Sequence, residues 1–194
     1  MISQIDRRDK MRKLLLIMGD LATGKSTFAG LLSKRYQINV FYKDTFKEVL
    51  GDTIGFSNRE ENLRLSFASA ALMRMIFTEF CKLDKDLILE SNFRQAELEK
   101  LHEIAQEYGY EVLTVSLRAD LEVLHRRFLH RLYHEDRHPV HACGGFEDFE
   151  TFRAYMGQQR DLQIPGRFLE VSANTFDYQE DTQIFNKLDK FMGK

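Results

Sequence analysis

The chain has 194 residues, of which 43% are hydrophobic, and its 28 Lys and Arg residues nearly balance 30 Asp and Glu residues, for a formal net charge of −2. This length and apolar content suit one domain with a sizeable core. The charge balance favours neither nucleic acid nor a membrane surface as a partner, although a local basic groove stays open. The sequence shows no signal peptide or long apolar span, and Cys81 and Cys143 lack a metal or redox spacing, so we expect a cytoplasmic protein with reduced thiols.

Strands and helices are predicted to alternate along the chain. Residues 1–12 are rich in Lys and Arg and are expected to form a flexible tail. Apolar runs and strand-forming residues predict strands over 13–18, 38–42, 86–90, 111–117 and 168–172. Helical spacing and turn signals predict helices over 25–36, 44–51, 58–82, 94–108, 120–135, 147–160 and 180–192. This alternation predicts an α/β fold with a parallel sheet, in which ligands gather at the carboxyl ends of the strands.

Residues 19–27, GDLATGKST, form a complete phosphate-binding loop (P-loop) between the first strand and the first helix. The glycines let the backbone turn and aim N–H groups at phosphate oxygens, and the helix adds its positive dipole end. Lys25 is placed to reach the β- and γ-phosphates, and the Ser26 hydroxyl to coordinate Mg²⁺. The sequence therefore predicts a site for ATP and Mg²⁺, with nucleotide-binding residues Gly19, Ala22, Thr23, Gly24, Lys25, Ser26 and Thr27.

An acidic residue stands at or just after the end of two predicted strands. Glu90 closes the strand 86–90, where a carboxylate can hold Mg²⁺ or its water; alternatively it caps the following helix. Asp44 follows the strand 38–42, where it can take the proton from an attacking hydroxyl or bind the acceptor; alternatively it caps the next helix. Lys47, one turn further, can bind an anionic acceptor or face water. We favour the functional reading for Glu90 and Asp44.

Two arginines on the predicted helix 120–135 are spaced four residues apart. Arg127 and Arg131 therefore lie on one face of the helix and are expected to point together over a site. Guanidinium groups from such a segment neutralise the charge that builds on a transferring phosphoryl group. The alternative is a solvated basic face with salt bridges. The catalytic residues predicted from the sequence are Lys25, Asp44, Arg127 and Arg131.

The segment after this helix holds His134, His138, His141 and Cys143, which raises the question of a zinc site. Structural zinc sites combine two pairs of closely spaced ligands, and a second pair is missing here. A polar lid surface is the favoured interpretation.

Taken together, the P-loop, the strand-end acids, the paired arginines and the sequence RHPVH at 137–141 resemble P-loop kinases of the AAA_33 group, which are related to zeta toxins, chloramphenicol phosphotransferase and polynucleotide kinase. The resemblance implies a five-stranded parallel sheet with helices on both faces, in which the strand ending at Glu90 lies beside the P-loop strand. It also implies a lid, at about 120–165, over ATP. Asp44 then acts as a base or binds the acceptor, and Arg127 and Arg131 contact phosphates.

Alternative functions were weighed against this resemblance. Residues 52–55 and 186–189 match the DxxG and NKxD patterns of regulatory GTPases. However, Asp52 follows an apparently helical segment instead of closing a strand, and Asn186 lies in an amphipathic segment with helical spacing. A nucleotide-binding adaptor or assembly ATPase is disfavoured by the joint presence of Lys25, Ser26, Glu90 and Asp44.

The phosphate acceptor is the least determined part of the prediction. Asp44 and Lys47 are similar to the Asp-x-x-Arg element of polynucleotide kinases, but lysine in place of arginine weakens bidentate phosphate binding. A small-molecule hydroxyl is therefore favoured over a nucleic-acid end, and a nucleotide acceptor remains an alternative. Arg59, Arg64 and Arg94 suggest some anionic character in the acceptor, whereas Phe41, Tyr42, Phe46 and Phe56 suggest a ring or an apolar body, and neither hint is decisive. The candidate substrate contacts are Lys47, Arg59 and Arg94. The oligomeric state stays open.

Overall fold

The computed structural model describes residues 11–141 and 146–194, which form a parallel β-sheet covered by helices on both faces. The strands are β1 (Arg12–Gly19), β2 (Asn39–Tyr42), β3 (Leu87–Glu90), β4 (Tyr110–Arg118) and β5 (Arg167–Ser172). The helices are α1 (Lys25–Tyr36), α2 (Lys43–Ile54), α3 (Arg59–Lys82), α4 (Gln95–Glu107), α5 (Leu121–His134), α6 (Phe149–Arg160) and α7 (Thr182–Met192). Two short 3₁₀ helices cover Pro139–His141 and Asp177–Gln179.

The five strands of the described sheet lie in the order β2-β3-β1-β4-β5, and every pair is parallel. The expected fold is confirmed, including the position of the strand that ends at Glu90. In the register of β1 and β3, Ile17 is the partner of Glu90, two residues before the P-loop begins. On the other side of β1, Gly19 is the partner of Leu117. The sheet thus places the P-loop and Glu90 at the same edge, because parallel strands end together.

The central strand β1 is buried on both faces, which explains its unbroken apolar sequence. Leu15 and Ile17 face one core layer, in which they pack with α1 residues such as Phe28. Leu14 and Leu16 face the opposite layer, which includes Phe77 of α3. Fixing β1 between two cores gives the P-loop a rigid base.

Helix boundaries differ from the prediction most clearly at α2. The helix continues through Gly51 and ends at Ile54; the next residue, Gly55, has a φ of +78°, which suits a glycine. A Cβ on Gly51 would lie only 2.4 Å from Cγ1 of Val140. Gly51 therefore serves close packing against the 3₁₀ helix Pro139–His141 and does not end the helix.

At the chain's beginning, Arg12 already pairs with Tyr110 in the sheet, so the expected tail cannot include it. Residues 1–10 lie outside the described residues.

Neither GTPase-like tetrapeptide follows a strand, as the sequence indicated, and α2 extends further than predicted, so that it includes Asp52. Asp52 is in the last turn of α2, and Asp189 in α7 accepts hydrogen bonds from Arg35 at 3.0 Å and from Tyr36 at 2.8 Å. The Asp189 carboxylate thus joins α7 to α1 instead of reading a base.

Within residues 11–141 and 146–194, no group of three or more His, Cys, Asp or Glu side chains is arranged to hold a metal. Cys143 lies outside the described residues. No helix among those residues combines the length and apolar character needed to cross a membrane.

Candidate active site

The backbone conformation of the P-loop is fixed by contacts with β4 and includes residues with positive φ. Gly19 has a φ of +132°, and a Cβ there would lie 2.1 Å from the Leu117 carbonyl oxygen. The Asp20 N–H donates to that same oxygen at 2.9 Å. Ala22 and Gly24 also have positive φ values, of +58° and +82°. These angles turn the loop back on itself, as a phosphate-binding loop requires.

Helix α1 begins at Lys25, directly after Gly24, and its N-terminus opens into the P-loop without a side-chain cap from Gly24. Unpaired N–H groups and the dipole at this end favour an anion. The Lys25 ammonium donates to the Asp20 carbonyl at 2.7 Å. Burial lowers the pKa of Lys25, while the negative charges of Glu90, Asp44 and Asp20 oppose that shift. The P-loop therefore places a lysine side chain and the N–H groups of a helix start close together, where they can bind an anion.

Glu90 lies at the carboxyl end of β3, 4% exposed, and accepts a hydrogen bond from the Ser26 hydroxyl at 3.1 Å. Burial raises its pKa, and the nearby Lys25 charge acts in the opposite direction. The alternative of a helix cap does not apply, because α4 begins at Gln95, and the Glu97 carboxylate accepts a hydrogen bond from the Arg94 backbone N–H at 3.0 Å at this helix start. A hydroxyl and a carboxylate oxygen side by side fit the preference of Mg²⁺ for hard oxygen ligands.

Asp44 is the second residue of α2, which starts directly at the end of β2. The residue at the N-cap position is Tyr42, which makes no side-chain cap. The Asp44 carboxylate faces a cleft that also contains Lys25 and Glu90, and it acts electrostatically on both. It is exposed and available to a ligand.

Two adjoining cavities meet at Asp44. The P-loop cavity, of about 400 Å³, is lined by the loop, by Glu90, Ser91 and Asn92, and by Phe176. The second, which we call the outer cavity, has a volume of about 560 Å³ and extends from Tyr42 to the 3₁₀ helix Pro139–His141. Both cavities share Ser26, Thr27, Asp44, Arg131, Glu135 and Arg137. A ligand bound in each would therefore meet beside the Asp44 carboxylate.

The two arginines of α5 have different surroundings. Arg131 lines both cavities and pairs with Glu135 at 3.2 Å. Arg127 lines neither: it donates to the carbonyl oxygens of Ala173 at 2.6 Å and Asn174 at 2.8 Å, and stacks over the Phe176 ring at 4.2 Å. The loop after β5 passes beside α5 and supplies those carbonyls, which helical spacing could not reveal. Arg127 thus borders the P-loop cavity only through Phe176, and its contact with phosphate stays a prediction.

The predicted acceptor contacts lie outside the two cavities. Lys47 donates to the Val140 carbonyl at 2.9 Å and so fastens α2 to the 3₁₀ helix. Arg94 stacks over Phe67 at 4.4 Å, and Arg59 is exposed at the start of α3. These positions give no support to direct contact with an acceptor.

Sequence reasoning missed two contacts that brace the P-loop. The Tyr178 hydroxyl donates to the Thr23 carbonyl at 2.7 Å. Arg160, the last residue of α6, binds both carboxylate oxygens of Asp20, which is 2% exposed. No local signal pointed to either, because the partners lie 155 and 140 residues apart.

The segment 138–141 was expected to form a polar surface, and it docks onto α2. His138 contacts Asp52 at 2.9 Å and His141 contacts Glu48 at 2.8 Å. Asn62 of α3 donates to the Val140 carbonyl at 3.1 Å. This docking forms the far wall of the outer cavity.

Comparison with solved structures gives matches along almost the whole chain. A candidate kinase from Chloroflexus aurantiacus j-10-fl is 26% identical with a TM-score of 0.77, over 93% of this chain and 98% of that one. The shikimate kinase of Bacteroides thetaiotaomicron is 13% identical with a TM-score of 0.58, over 95% and 100% of the two chains. The APS kinase of Mycobacterium tuberculosis, solved with AMPPNP and APS, is 15% identical with a TM-score of 0.60, over 95% and 99%.

Comparison with sequences gives a family. The model of the AAA domain family AAA_18 matches residues 15–152, which is more than half of the chain, whereas no curated protein sequence matches. The resemblance to the AAA_33 group is not confirmed by this match. The chain therefore belongs to the AAA_18 family of AAA domains and has the α/β fold of P-loop kinases.

Proposed function

We propose that this protein is an ATP-dependent phosphotransferase that moves the γ-phosphate to a hydroxyl group of a small molecule. The observation that carries the proposal is the position of Asp44, where the P-loop cavity and the outer cavity meet. A triphosphate in the P-loop would present its γ-phosphate toward this point, and an acceptor in the outer cavity would present a hydroxyl from the other side. Phosphoryl transfer needs the acceptor and the nucleotide on opposite sides of the γ-phosphate, because the attacking and leaving oxygens lie roughly in line.

Each residue of the cleft has a chemical role in this reaction. The P-loop N–H groups and Lys25 hold the β- and γ-phosphates, and Arg131 neutralises charge on the group in transfer. Asp44 accepts the proton of the attacking hydroxyl group of the acceptor. The hydroxyl oxygen forms a bond to the γ-phosphorus while the bond between the γ-phosphorus and the β–γ bridging oxygen breaks, which releases ADP. Ser26 and Glu90 would hold Mg²⁺, which when bound offsets phosphate charge.

The structural neighbours support this proposal. Shikimate kinase and APS kinase are named for small-molecule acceptors, and one of these structures contains an ATP analogue. No comparison favours a polynucleotide end as the acceptor, so 5′-hydroxyl oligonucleotides serve as the contrasting substrate class in the test.

The experiment measures ATP-dependent phosphorylation of metabolites, nucleosides, antibiotics and 5′-hydroxyl oligonucleotides, with Asp44→Asn as the test variant. Asp44→Asn should lower turnover by a factor of about 10² to 10⁴, the usual contribution of general acid–base catalysis, with nearly unchanged ATP affinity. Glu103→Gln, an exposed change on α4, is the matched control and should keep full activity. Weakened ATP binding by Asp44→Asn with unchanged turnover per bound nucleotide would overturn the role of Asp44.

A further inference from the structure

The size and the lining of the outer cavity indicate what kind of acceptor would fit, which the sequence alone did not show. Its volume of about 560 Å³ suits a small molecule. The side chains around it are polar: four carboxylates, two guanidinium groups, two imidazoles, and the hydroxyls of residues such as Tyr42 and Thr45. An acceptor held here would be recognised by hydrogen bonds and charge, not by an apolar surface.

The cationic groups of this cavity are already engaged. Arg131 pairs with Glu135 at 3.2 Å, and His141 contacts Glu48 at 2.8 Å. His138 is bonded to Asp52, and Arg137 also has an interaction partner. The two arginines border the P-loop cavity as well, so a bound triphosphate would draw on their charge.

Two acidic groups of the cavity, in contrast, lack a direct side-chain partner among the described residues, although the Lys25 charge of the P-loop also acts on Asp44. Asp44 and Asp136 form no hydrogen bond or ion pair with any side chain in the described ranges, and both are exposed to the cavity. The carboxylates outnumber the guanidinium groups by four to two. A negatively charged acceptor would face net repulsion here, and a positively charged one net attraction.

Unpartnered buried oxygens add a second, independent observation. Ser91 Oγ and Asn92 Oδ1 are buried and have no hydrogen-bond partner within residues 11–141 and 146–194, and Ser91 is only 3% exposed. Both residues line the P-loop cavity beside Asp44. Buried polar atoms in native proteins are nearly always satisfied by protein, water or a ligand. The Asn92 oxygen therefore calls for a donor that the described residues do not supply, whereas the Ser91 hydroxyl can accept or donate. Hydroxyl and ammonium groups are such donors.

We propose that the acceptor is a polyhydroxylated small molecule without negative charge, and that an amine on it strengthens binding through Asp136. This rests on the proposed function, since it assigns the substrate class of the same site. It also replaces the expectation of an anionic acceptor, because Arg59, Arg64 and Arg94 lie away from the cavity. The acceptor hydroxyl donates its proton to Asp44, and the acceptor extends from the outer cavity past Asp44 into the P-loop cavity, where its neighbouring hydroxyls meet Ser91 and Asn92.

The test uses acceptors that differ in charge on a similar frame: glucose, gluconate and glucosamine, together with adenosine and AMP, within a wider panel of sugars, amino sugars and sugar acids. ADP release above the background with water is measured for each. We expect the accepted compounds to be neutral or amine-bearing, with kcat/KM at least tenfold above their acidic counterparts. Better turnover of the acidic members would overturn the inference and still support the phosphotransferase. If no compound of any charge raises ADP release, the proposed function itself fails.

A charge-reversal variant tests the role of Asp136 directly. Asp136→Lys should reduce the preference for amine-bearing over acidic acceptors at least tenfold. Glu103→Lys makes the same charge change on exposed α4 and should leave that preference as it is. Equal preferences in Asp136→Lys and in the unaltered protein would contradict the inference.

The unpartnered oxygens are tested by Asn92→Ala, after its melting temperature has been checked. This variant should raise the acceptor KM at least fivefold with an unchanged Mg²⁺ requirement. A shifted Mg²⁺ requirement with an unchanged acceptor KM would assign these oxygens to the metal and remove them from the acceptor site.

Discussion

Replacing Arg160 by glutamine would leave the Asp20 carboxylate buried without its cation. Arg160 makes three contacts with this part of the loop: to Asp20 Oδ1 at 3.2 Å, to Asp20 Oδ2, and to the Ala119 carbonyl at 2.5 Å. Removing one partner of a buried ion pair costs about 3 to 5 kcal/mol. Because the Arg160 side chain is 28% exposed, we expect the lower end, about 3 kcal/mol. At about 2 to 4 °C per kcal/mol for a chain of this size, the melting temperature should fall by about 6 to 12 °C.

The same variant should weaken nucleotide binding, since an unneutralised carboxylate would then stand in the P-loop. We expect the Kd for ATP to rise by about tenfold, equivalent to about 1.4 kcal/mol. Thermal unfolding gives the stability change, and titration calorimetry with ATP gives the affinity. Asp20→Asn removes the charge itself, so it should bind ATP more tightly than Arg160→Gln.

A surface ion pair on the same helix supplies the control. Arg153 pairs with Glu150 within α6, and both side chains are more than half exposed. Such pairs are worth under about 1 kcal/mol, so Arg153→Gln should shift the melting temperature by no more than about 2 to 4 °C. Equal melting temperatures for Arg160→Gln and Arg153→Gln, or strict additivity of Asp20→Asn and Arg160→Gln in a double-mutant cycle, would refute the reasoning.

Two further predictions concern groups that face the P-loop. Burial raises the pKa of Glu90 above its ordinary value of 4.5, so ionised Glu90 destabilises the fold once the pH exceeds that value. Glu90→Gln should therefore raise the free energy of unfolding at pH 7 but not at pH 4, while abolishing Mg²⁺-dependent turnover. Denaturant unfolding at pH 7 and at pH 4 measures this change. A lower free energy of unfolding for Glu90→Gln at pH 7 would contradict the prediction. Tyr178→Phe removes the bond to Thr23 and should cost about 1 kcal/mol and weaken ATP binding, whereas unchanged stability and ATP affinity would contradict that contact's role.

The elements of the fold were largely readable from the sequence, because each depends on short-range patterns. The apolar run of β1 predicts burial on two faces, and the helical spacing of Phe28 and Leu32 predicts α1; both are confirmed. The two 3₁₀ helices were missed, since three residues carry too little periodicity. At Gly51 the local preference of glycine for helix ends was overruled by its contact with Val140.

The candidate site was predictable only in part. Glu90 and Ser26 were placed together correctly, because the ends of adjacent parallel strands and the P-loop meet at one edge of the sheet. The surroundings of Arg127 were not predictable, since helical spacing fixes the direction of a side chain but not what lies opposite it. The carbonyls that engage Arg127 belong to a loop 46 and 47 residues further along the chain.

The sequence by itself determined the phosphate-binding loop, because the groups that bind phosphate are consecutive backbone amides and the side chains beside them. It also determined the α/β alternation, which follows from local periodicity. Only the tertiary structure decided that Arg160 neutralises Asp20, that Arg127 supports a loop, and that Asp44 stands between two cavities. Those relations depend on how helices from distant parts of the chain pack around the sheet, and no short-range pattern encodes that packing.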